Sequence, residues 1–137
     1  MISVLDCSFC AALFLPHEKS AQVKDLFIKF ANDDELAVPV QFWDEMTGLL
    51  LTAMARNRLK HADALEINRL LSMYHFTTEV SFAGEYTGHL LDLAGLYGLN
   101  TMEAAYLELA IRKQAKLGTL SGKLKAACIK AGIETLL

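Results

Sequence analysis

The feature of the sequence that most constrains the fold is the alternation of short apolar runs with longer segments of helical periodicity. The first run, Ile2 to Leu5, is β-branched and aliphatic, stops at Asp6 and is followed by a helical segment. Parallel strands need connections long enough to return to the same end of the sheet, and helices usually supply them. The alternation therefore predicts an α/β fold, a three-layer α/β/α sandwich with a central parallel sheet. Ligands of such folds bind at the carboxyl ends of the strands, where Asp6 is placed.

The same pattern predicts five strands and seven helices. The strands are Ile2–Leu5, Leu36–Val40, Tyr74–Val80, Leu117–Leu120 and Ile133–Leu136. The helices are 8–15, Ser20 to the turn Asn32-Asp33-Asp34, 42–54, Ala62–Met73, Phe82–Tyr97, Met102–Gln114 and Ser121–Ala131. Ser8 is the expected N-cap of the first helix, and Asn100 or Thr101 that of the sixth.

Length and composition favour one domain covering residues 1–137. A chain of 137 residues that is 53% hydrophobic can bury a core without disulfides or metals. The N-terminus has no basic segment of the kind that begins a secretory signal, and the apolar stretch from Phe9 to Leu15 is too short to span a bilayer. We therefore expect an intracellular, cytoplasmic protein that does not bind membranes.

The cysteines and histidines do not predict a zinc site. Cys7 and Cys10 form a C-x-x-C, but Cys128 is the only other cysteine, so a four-thiolate site has half its ligands. The four histidines have neither H-x-x-x-H nor H-E-x-x-H spacing. Buried, reduced cysteines in a reducing compartment are the expectation.

The net charge of −3 conceals an asymmetry along the chain. Residues 1–110 hold 7 Lys and Arg against 15 Asp and Glu, a net charge of −8, whereas residues 111–137 hold 6 against 1, a net charge of +5. The basic segment is read either as a solvated helix face or as a phosphate-facing edge beside an acidic centre.

Four blocks of sequence, in order along almost the whole chain, carry a family resemblance. They are VLDCS at 4–8 with FLPHE at 14–18, VP at 38–39 with WDEM at 43–46, YGLNTMEAAYL at 97–107, and LGTLSGKL at 117–124. Together they resemble the PIN domains, and among these the VapC-like toxin ribonucleases of toxin-antitoxin pairs.

The resemblance implies a function and a set of residues. It implies a metal-dependent endoribonuclease that is held by an antitoxin protein and forms a homodimer. Its carboxylates would bind Mg²⁺ or Mn²⁺, hard cations that prefer oxygen ligands, and the metal would activate water against an RNA phosphodiester. Carried over by position, Asp6, Glu45 and Glu103 are the catalytic and metal-binding residues, and Ser8 and Ser121 contact substrate or support the metal ligands.

Two of the positions that carry acidic residues in the family depart from its pattern. Glu103 stands where the pattern has aspartate, and its extra carbon-carbon bond adds roughly 1.5 Å of reach. Ser121 replaces a second aspartate with a neutral hydroxyl, a weak metal ligand. Both departures bear on whether the site holds one metal ion or two.

Three interpretations remain open. The first is the toxin-type ribonuclease. The second is a catalytically weak or inactive PIN scaffold that binds protein or RNA, which Glu103 and Ser121 motivate. The third is a phosphatase of the haloacid-dehalogenase type with Asp6 as nucleophile, although the D-x-D of that family reads Asp6-Cys7-Ser8 here.

Overall fold

The structure is a computed structural model, and it describes residues 1–30, 33–81 and 83–137. Four strands are present: β1 Ile2–Leu5, β2 Glu35–Pro39, β3 Thr77–Glu79 and β4 Lys116–Gly118. The helices are α1 Cys7–Ala11, α2 Ser20–Lys29, α3 Gln41–Ala55, α4 His61–Ser72, α5 Ala83–Tyr97, α6 Thr101–Lys113 and α7 Gly122–Ala131. None of the helices in these three ranges is long and apolar enough to cross a membrane.

The four strands form one parallel sheet in the order β3-β2-β1-β4, with helices flanking it. In the register, Val4 of β1 lies between Ala37 of β2 and Leu117 of β4. The predicted α/β sandwich with a central parallel sheet is thereby confirmed. Because β1 is central, the residue after it, Asp6, lies at the middle of the carboxyl edge of the sheet.

Most element boundaries agree with the prediction to within a few residues. The predicted fifth strand, 133–136, is reduced to a single parallel bridge between Leu117 and Thr135. The first helix ends at Ala11 instead of Leu15, and the following residues turn toward Pro16. The part of the second helix and its turn predicted at Asn32, and the predicted helix start at Phe82, lie outside the described residues.

The prediction that Ser8 caps the first helix was wrong. The N-cap of α1 is Asp6, whose side chain accepts a hydrogen bond from the Phe9 backbone N–H. Both residue types cap well, and the chain leaves the extended conformation of β1 directly after Asp6, so the N-cap lies two residues earlier than expected.

The core lies between the sheet and the helices that flank it, and α6 is its most buried helix. Residues Ala104 to Ala110 of α6 are all buried, which is the expected environment of a helix that is apolar around most of its circumference. This helix contacts β1, β2 and β4, as well as α5 and α7. As expected, the three cysteines are free and buried, and burial raises the pKa of the Cys128 thiol to about 11.

Gly118 marks the closest packing at the carboxyl end of β4. A Cβ at this position would lie 2.8 Å from Leu5 Cδ2 and 3.1 Å from Phe9 Cδ2, two side chains that are fully buried. We expect Gly118→Ala to overpack the core and to lower the free energy of unfolding by about 1–3 kcal/mol. Urea denaturation would measure it.

Gly122→Ala is the matched control for this substitution. An added Cβ at Gly122, the first residue of α7, meets nothing within 4 Å, so alanine should be neutral or stabilise by up to about 1 kcal/mol. Equal effects of the two substitutions would show that the contact at Gly118 does not limit packing.

Candidate functional site

The five residues predicted for the site line one cavity of about 280 Å³. Asp6 directly follows β1, and Ser8 lies in the first turn of α1. Glu45 belongs to the beginning of α3, and Glu103 to the first turn of α6. Ser121 precedes α7, three residues after β4. The fold therefore brings together side chains that are up to 115 positions apart in the sequence.

Asp6 is the most buried of these side chains, with 5% of its surface exposed, and both of its carboxylate oxygens are hydrogen bonded. Oδ1 accepts from Ser8 Oγ at 2.7 Å and from the Phe9 N–H at 2.9 Å. Oδ2 accepts from the Thr119 hydroxyl. Three donors, two from α1 and one from the segment after β4, therefore fix the orientation of this carboxylate.

Opposing influences act on the pKa of Asp6, and the balance raises it above the ordinary value. Burial is the largest cause and raises the pKa, because a charged carboxylate loses solvation. Hydrogen bonds from Thr119, Ser8 and Phe9 lower it, and the nearby negative charge of Glu45 raises it further. A cation in the cavity would relieve both effects that disfavour the charge.

Glu45 is held by a tyrosine from another helix. Tyr106 of α6 is 2% exposed, and its hydroxyl donates to Glu45 Oε1 at 2.8 Å. The same hydroxyl lies 3.6 Å from Cys7 Sγ. Asp44, the neighbouring carboxylate, is exposed and does not line the cavity.

Glu103 takes part in capping its own helix. Its Oε1 accepts from the Asn100 N–H at 2.9 Å, while the Asn100 side chain accepts from the Glu103 N–H at 2.8 Å, which together form a capping box. Its second oxygen, Oε2, accepts from Ser121 Oγ at 3.3 Å. Oε2 therefore has the longer hydrogen bond of the two oxygens and is the more available to bind a ligand.

The two serines connect the loops around the cavity. Ser121 caps α7 by accepting from the Leu124 N–H at 3.3 Å while it donates to Glu103. Ser8 Oγ donates to Asp6 and accepts from the Leu120 N–H at 2.9 Å. Each serine thus joins two segments that contribute to the cavity.

The donor atoms of the cavity fit a hard divalent cation, but the third carboxylate is turned toward its helix cap. In the described part of the chain, no group of three His, Cys, Asp or Glu side chains is arranged to hold a metal ion. Asp6 and Glu45 nevertheless supply carboxylate oxygens, the ligand type that Mg²⁺ and Mn²⁺ prefer. The residues therefore fit a metal held by two carboxylates, with Glu103 Oε2 as the candidate third ligand.

Three of the six basic residues in the C-terminal segment, which was a candidate for phosphate contact, make ion pairs away from this cavity. Arg112 pairs with Glu108 at 2.8 Å and Lys116 with Glu134 at 3.2 Å. Lys113 bridges Glu35 and Glu79 at 2.7 Å and 2.6 Å. Arg112 and Lys113 lie in the last turn of α6, whereas Glu103 lies in the first, so their ion pairs are at the far end of the helix from the cavity. These lysine and arginine side chains therefore stabilise the fold.

Sequence reasoning missed the roles of Thr119 and Tyr106. Thr119 follows β4, the neighbour of β1, so its position beside Asp6 was readable from a parallel pairing of these two strands. Tyr106 gave no comparable signal, because an aromatic residue at a buried position of an apolar helix is ordinarily part of the core.

The sequence matches no protein-family model and no curated protein, but its fold is similar to that of solved structures. PAE2754 from Pyrobaculum aerophilum is 23% identical, with a TM-score of 0.71 over 93% of this chain and 79% of that one. The sarcin-ricin loop cleaving toxin VapC20 of Mycobacterium tuberculosis is 16% identical, with a TM-score of 0.70 over 91% and 94%. A toxin-antitoxin complex from Klebsiella pneumoniae is 16% identical, with a TM-score of 0.62 over 98% of both chains.

The fold and the cavity define an α/β protein with an acidic site at the carboxyl edge of a parallel sheet. That fold is the PIN-like fold of the VapC-type toxins, so the resemblance seen in the sequence is confirmed at the level of the fold.

Proposed function

We propose that this protein is a metal-dependent endoribonuclease and the toxin of a toxin-antitoxin pair. The observation that carries the proposal is the pair of carboxylates, Asp6 and Glu45, which share one cavity with Glu103 at the carboxyl edge of the sheet. Similarity of the fold to VapC20 supports the same assignment. Buried or tethered carboxylates that face a cavity are costly, and a bound cation compensates for the cost.

The residues of the cavity have distinct proposed roles. Asp6 and Glu45 would hold Mg²⁺ or Mn²⁺, with Glu103 as third ligand, and the bound ion would supply charge neutralisation and an activated water. Asp6 is oriented for this role by Thr119, Ser8 and the α1 backbone. Ser121, whose hydroxyl is on the cavity wall, can donate to a phosphate oxygen of RNA in place of Glu103.

The proposal extends to the protein's partners and location. RNA is the substrate, and a cognate antitoxin is the protein partner, in line with the toxin-antitoxin complex that shares the fold. We further propose that residues 1–137 act as a single domain, that the protein forms a homodimer and that it works in the cytoplasm.

The test is cleavage of RNA by the purified protein with and without metal. Cleavage is expected with Mn²⁺ or Mg²⁺, and EDTA should stop it. Asp6→Ala should remove the activity while RNA incubated with wild-type protein is cut. Equal cleavage by Asp6→Ala, or cleavage that persists in EDTA, would rule out this mechanism.

A second candidate function is an inactive PIN scaffold that binds RNA or protein without turnover. The hydrogen bond between Ser121 and Glu103 favours the scaffold, because it occupies Glu103 Oε2, the oxygen that is otherwise available to bind a metal. RNA binding by the wild-type protein without metal-dependent cleavage would support the scaffold over the nuclease.

A further inference from the structure

Tyr106 is an unusual member of the core because its polar end reaches the acidic cavity. The side chain is 2% exposed and lies in the buried face of α6, yet its hydroxyl lines the cavity beside Glu45. A buried phenol requires a hydrogen-bond partner, and an unpaired one is destabilising. Its hydroxyl has one proton and two neighbours, Glu45 Oε1 at 2.8 Å and Cys7 Sγ at 3.6 Å. The shorter bond to the ionisable carboxylate is the one that receives the proton.

The thiol of Cys7 ties the same region together from the other side. Cys7 is the residue after Asp6, and its Sγ donates to the Phe42 carbonyl oxygen at 3.3 Å. Phe42 lies in the first turn of α3, three residues before Glu45. The position of α3 relative to Asp6 is therefore set by this contact as well as by packing.

The two contacts join all three elements that supply carboxylates. Cys7 connects the β1-α1 junction, which contains Asp6, to the start of α3. Tyr106 connects α6 to Glu45, and it lies three residues beyond Glu103 on that helix, within the same turn.

We infer that Tyr106 is a positioning residue: by holding Glu45 Oε1 it fixes the geometry in which Glu45 and Asp6 share a divalent cation, with Cys7 setting the position of α3. This inference rests on the proposed metal-dependent function. Glu45 has three side-chain rotatable bonds and is half-buried, so without the tyrosine its carboxylate would be free to turn out of the cavity. Groups that orient metal ligands ordinarily affect metal affinity by about 10–100-fold.

The experiment measures Mn²⁺ binding to Tyr106→Phe by titration calorimetry, together with cleavage as a function of Mn²⁺ concentration. Phenylalanine keeps the ring that packs in the core and removes only the donor. We expect Mn²⁺ to bind about 10–100-fold more weakly, and cleavage at saturating Mn²⁺ to recover most of the wild-type rate. Tyr97→Phe is the matched control, because Tyr97 lines a different cavity with Ile2 and Gln114.

A double-mutant cycle separates positioning from a general effect on the fold. If Tyr106 acts through Glu45, then Tyr106→Phe should change Mn²⁺ affinity little in a Glu45→Gln background. An equal loss in both backgrounds, or a lower melting temperature with unchanged Mn²⁺ affinity, would overturn the inference. So would a wild-type protein that binds no Mn²⁺. Mn²⁺ binding that depends on Tyr106, without RNA cleavage, would support the positioning role and rule out the nuclease function. Metal-dependent cleavage with unaltered Mn²⁺ binding by Tyr106→Phe would support the nuclease function and rule out the positioning role.

Discussion

Replacing Asp6 with asparagine is expected to lower metal-dependent RNA cleavage about a thousandfold. Asparagine has nearly the same shape and also caps helices well, so α1 should still begin at this position. The substitution removes one of the two negative charges shared by Asp6 and Glu45. A catalytic metal supplies several kcal/mol of transition-state stabilisation, and the loss of about 4 kcal/mol corresponds to a thousandfold in rate.

Asp44→Asn is the control for the loss of a carboxylate near the site. Asp44 is exposed, precedes Glu45 in the sequence and does not line the cavity, so its substitution should leave the cleavage rate close to that of the wild type. Single-turnover cleavage at saturating Mn²⁺ is the measurement. A small effect of Asp6→Asn, comparable to that of Asp44→Asn, would mean that Asp6 does not bind the metal.

The same substitution should not weaken the metal-free fold at neutral pH. Burial raises the pKa of Asp6, so the stability linked to this group is present at low pH and is lost as the pH rises through its folded-state pKa. At pH 7 the charged side chain therefore costs stability that asparagine does not. Urea unfolding in EDTA should find Asp6→Asn at least as stable as the wild type at pH 7, with the difference disappearing in acid.

The second large effect is a gain of activity in the double variant Ser121→Asp, Glu103→Asp. Aspartate caps a helix as well as serine does, so α7 should retain its first turn. The shorter side chain at position 103 and the new carboxylate at position 121 would both face the cavity that Asp6 and Glu45 already share. Misplacement of a reacting group by about 1 Å can cost about a hundredfold, so correction of the ligand set should raise cleavage by up to that factor.

Ser121→Asn in the same Glu103→Asp background is the matched control, because asparagine caps the helix but carries no charge. The aspartate variant should also gain more thermal stability on addition of Mn²⁺ than the asparagine variant does, since the metal offsets an added negative charge. If both variants cleave RNA at the wild-type rate, the residues at positions 103 and 121 do not limit activity.

The sequence was sufficient to predict the fold because its strand and helix signals agree with one another. β1 was predicted with its observed bounds, and β2 and β4 differ from prediction by one or two residues at their ends. Position 133–136 was harder, because a short aliphatic run at the edge of a sheet can form anything from one bridge to a full strand. Boundaries of the first helix depended on which of two good capping residues the chain used.

The candidate site was predictable in its residues but not in their hydrogen bonds. Asp6, Glu45 and Glu103 could be selected by position, and they line one cavity. The sequence Asn100-Thr101-Met102-Glu103 also has the signature of a capping box. The role of Glu103 in capping α6 could therefore have been predicted from the sequence and was missed. The tyrosine contact to Glu45 depends on the packing of α6 against α3, which no local pattern specifies.

Asp6 both caps α1 and lines the acidic cavity, and these two roles affect which substitutions the site would accumulate. Because one of its oxygens starts α1 and the other anchors the loop after β4, replacement of this aspartate by a side chain that cannot accept these hydrogen bonds would disturb folding even in a descendant without nuclease activity. Apart from its hydrogen bond with Tyr106, Glu45 has no comparable structural role, so we expect Glu45 to be substituted first. Among diverged copies of this protein, the glutamate on α3 should therefore be the better marker of an active nuclease, whereas aspartate or asparagine should remain at position 6 in active and inactive copies alike.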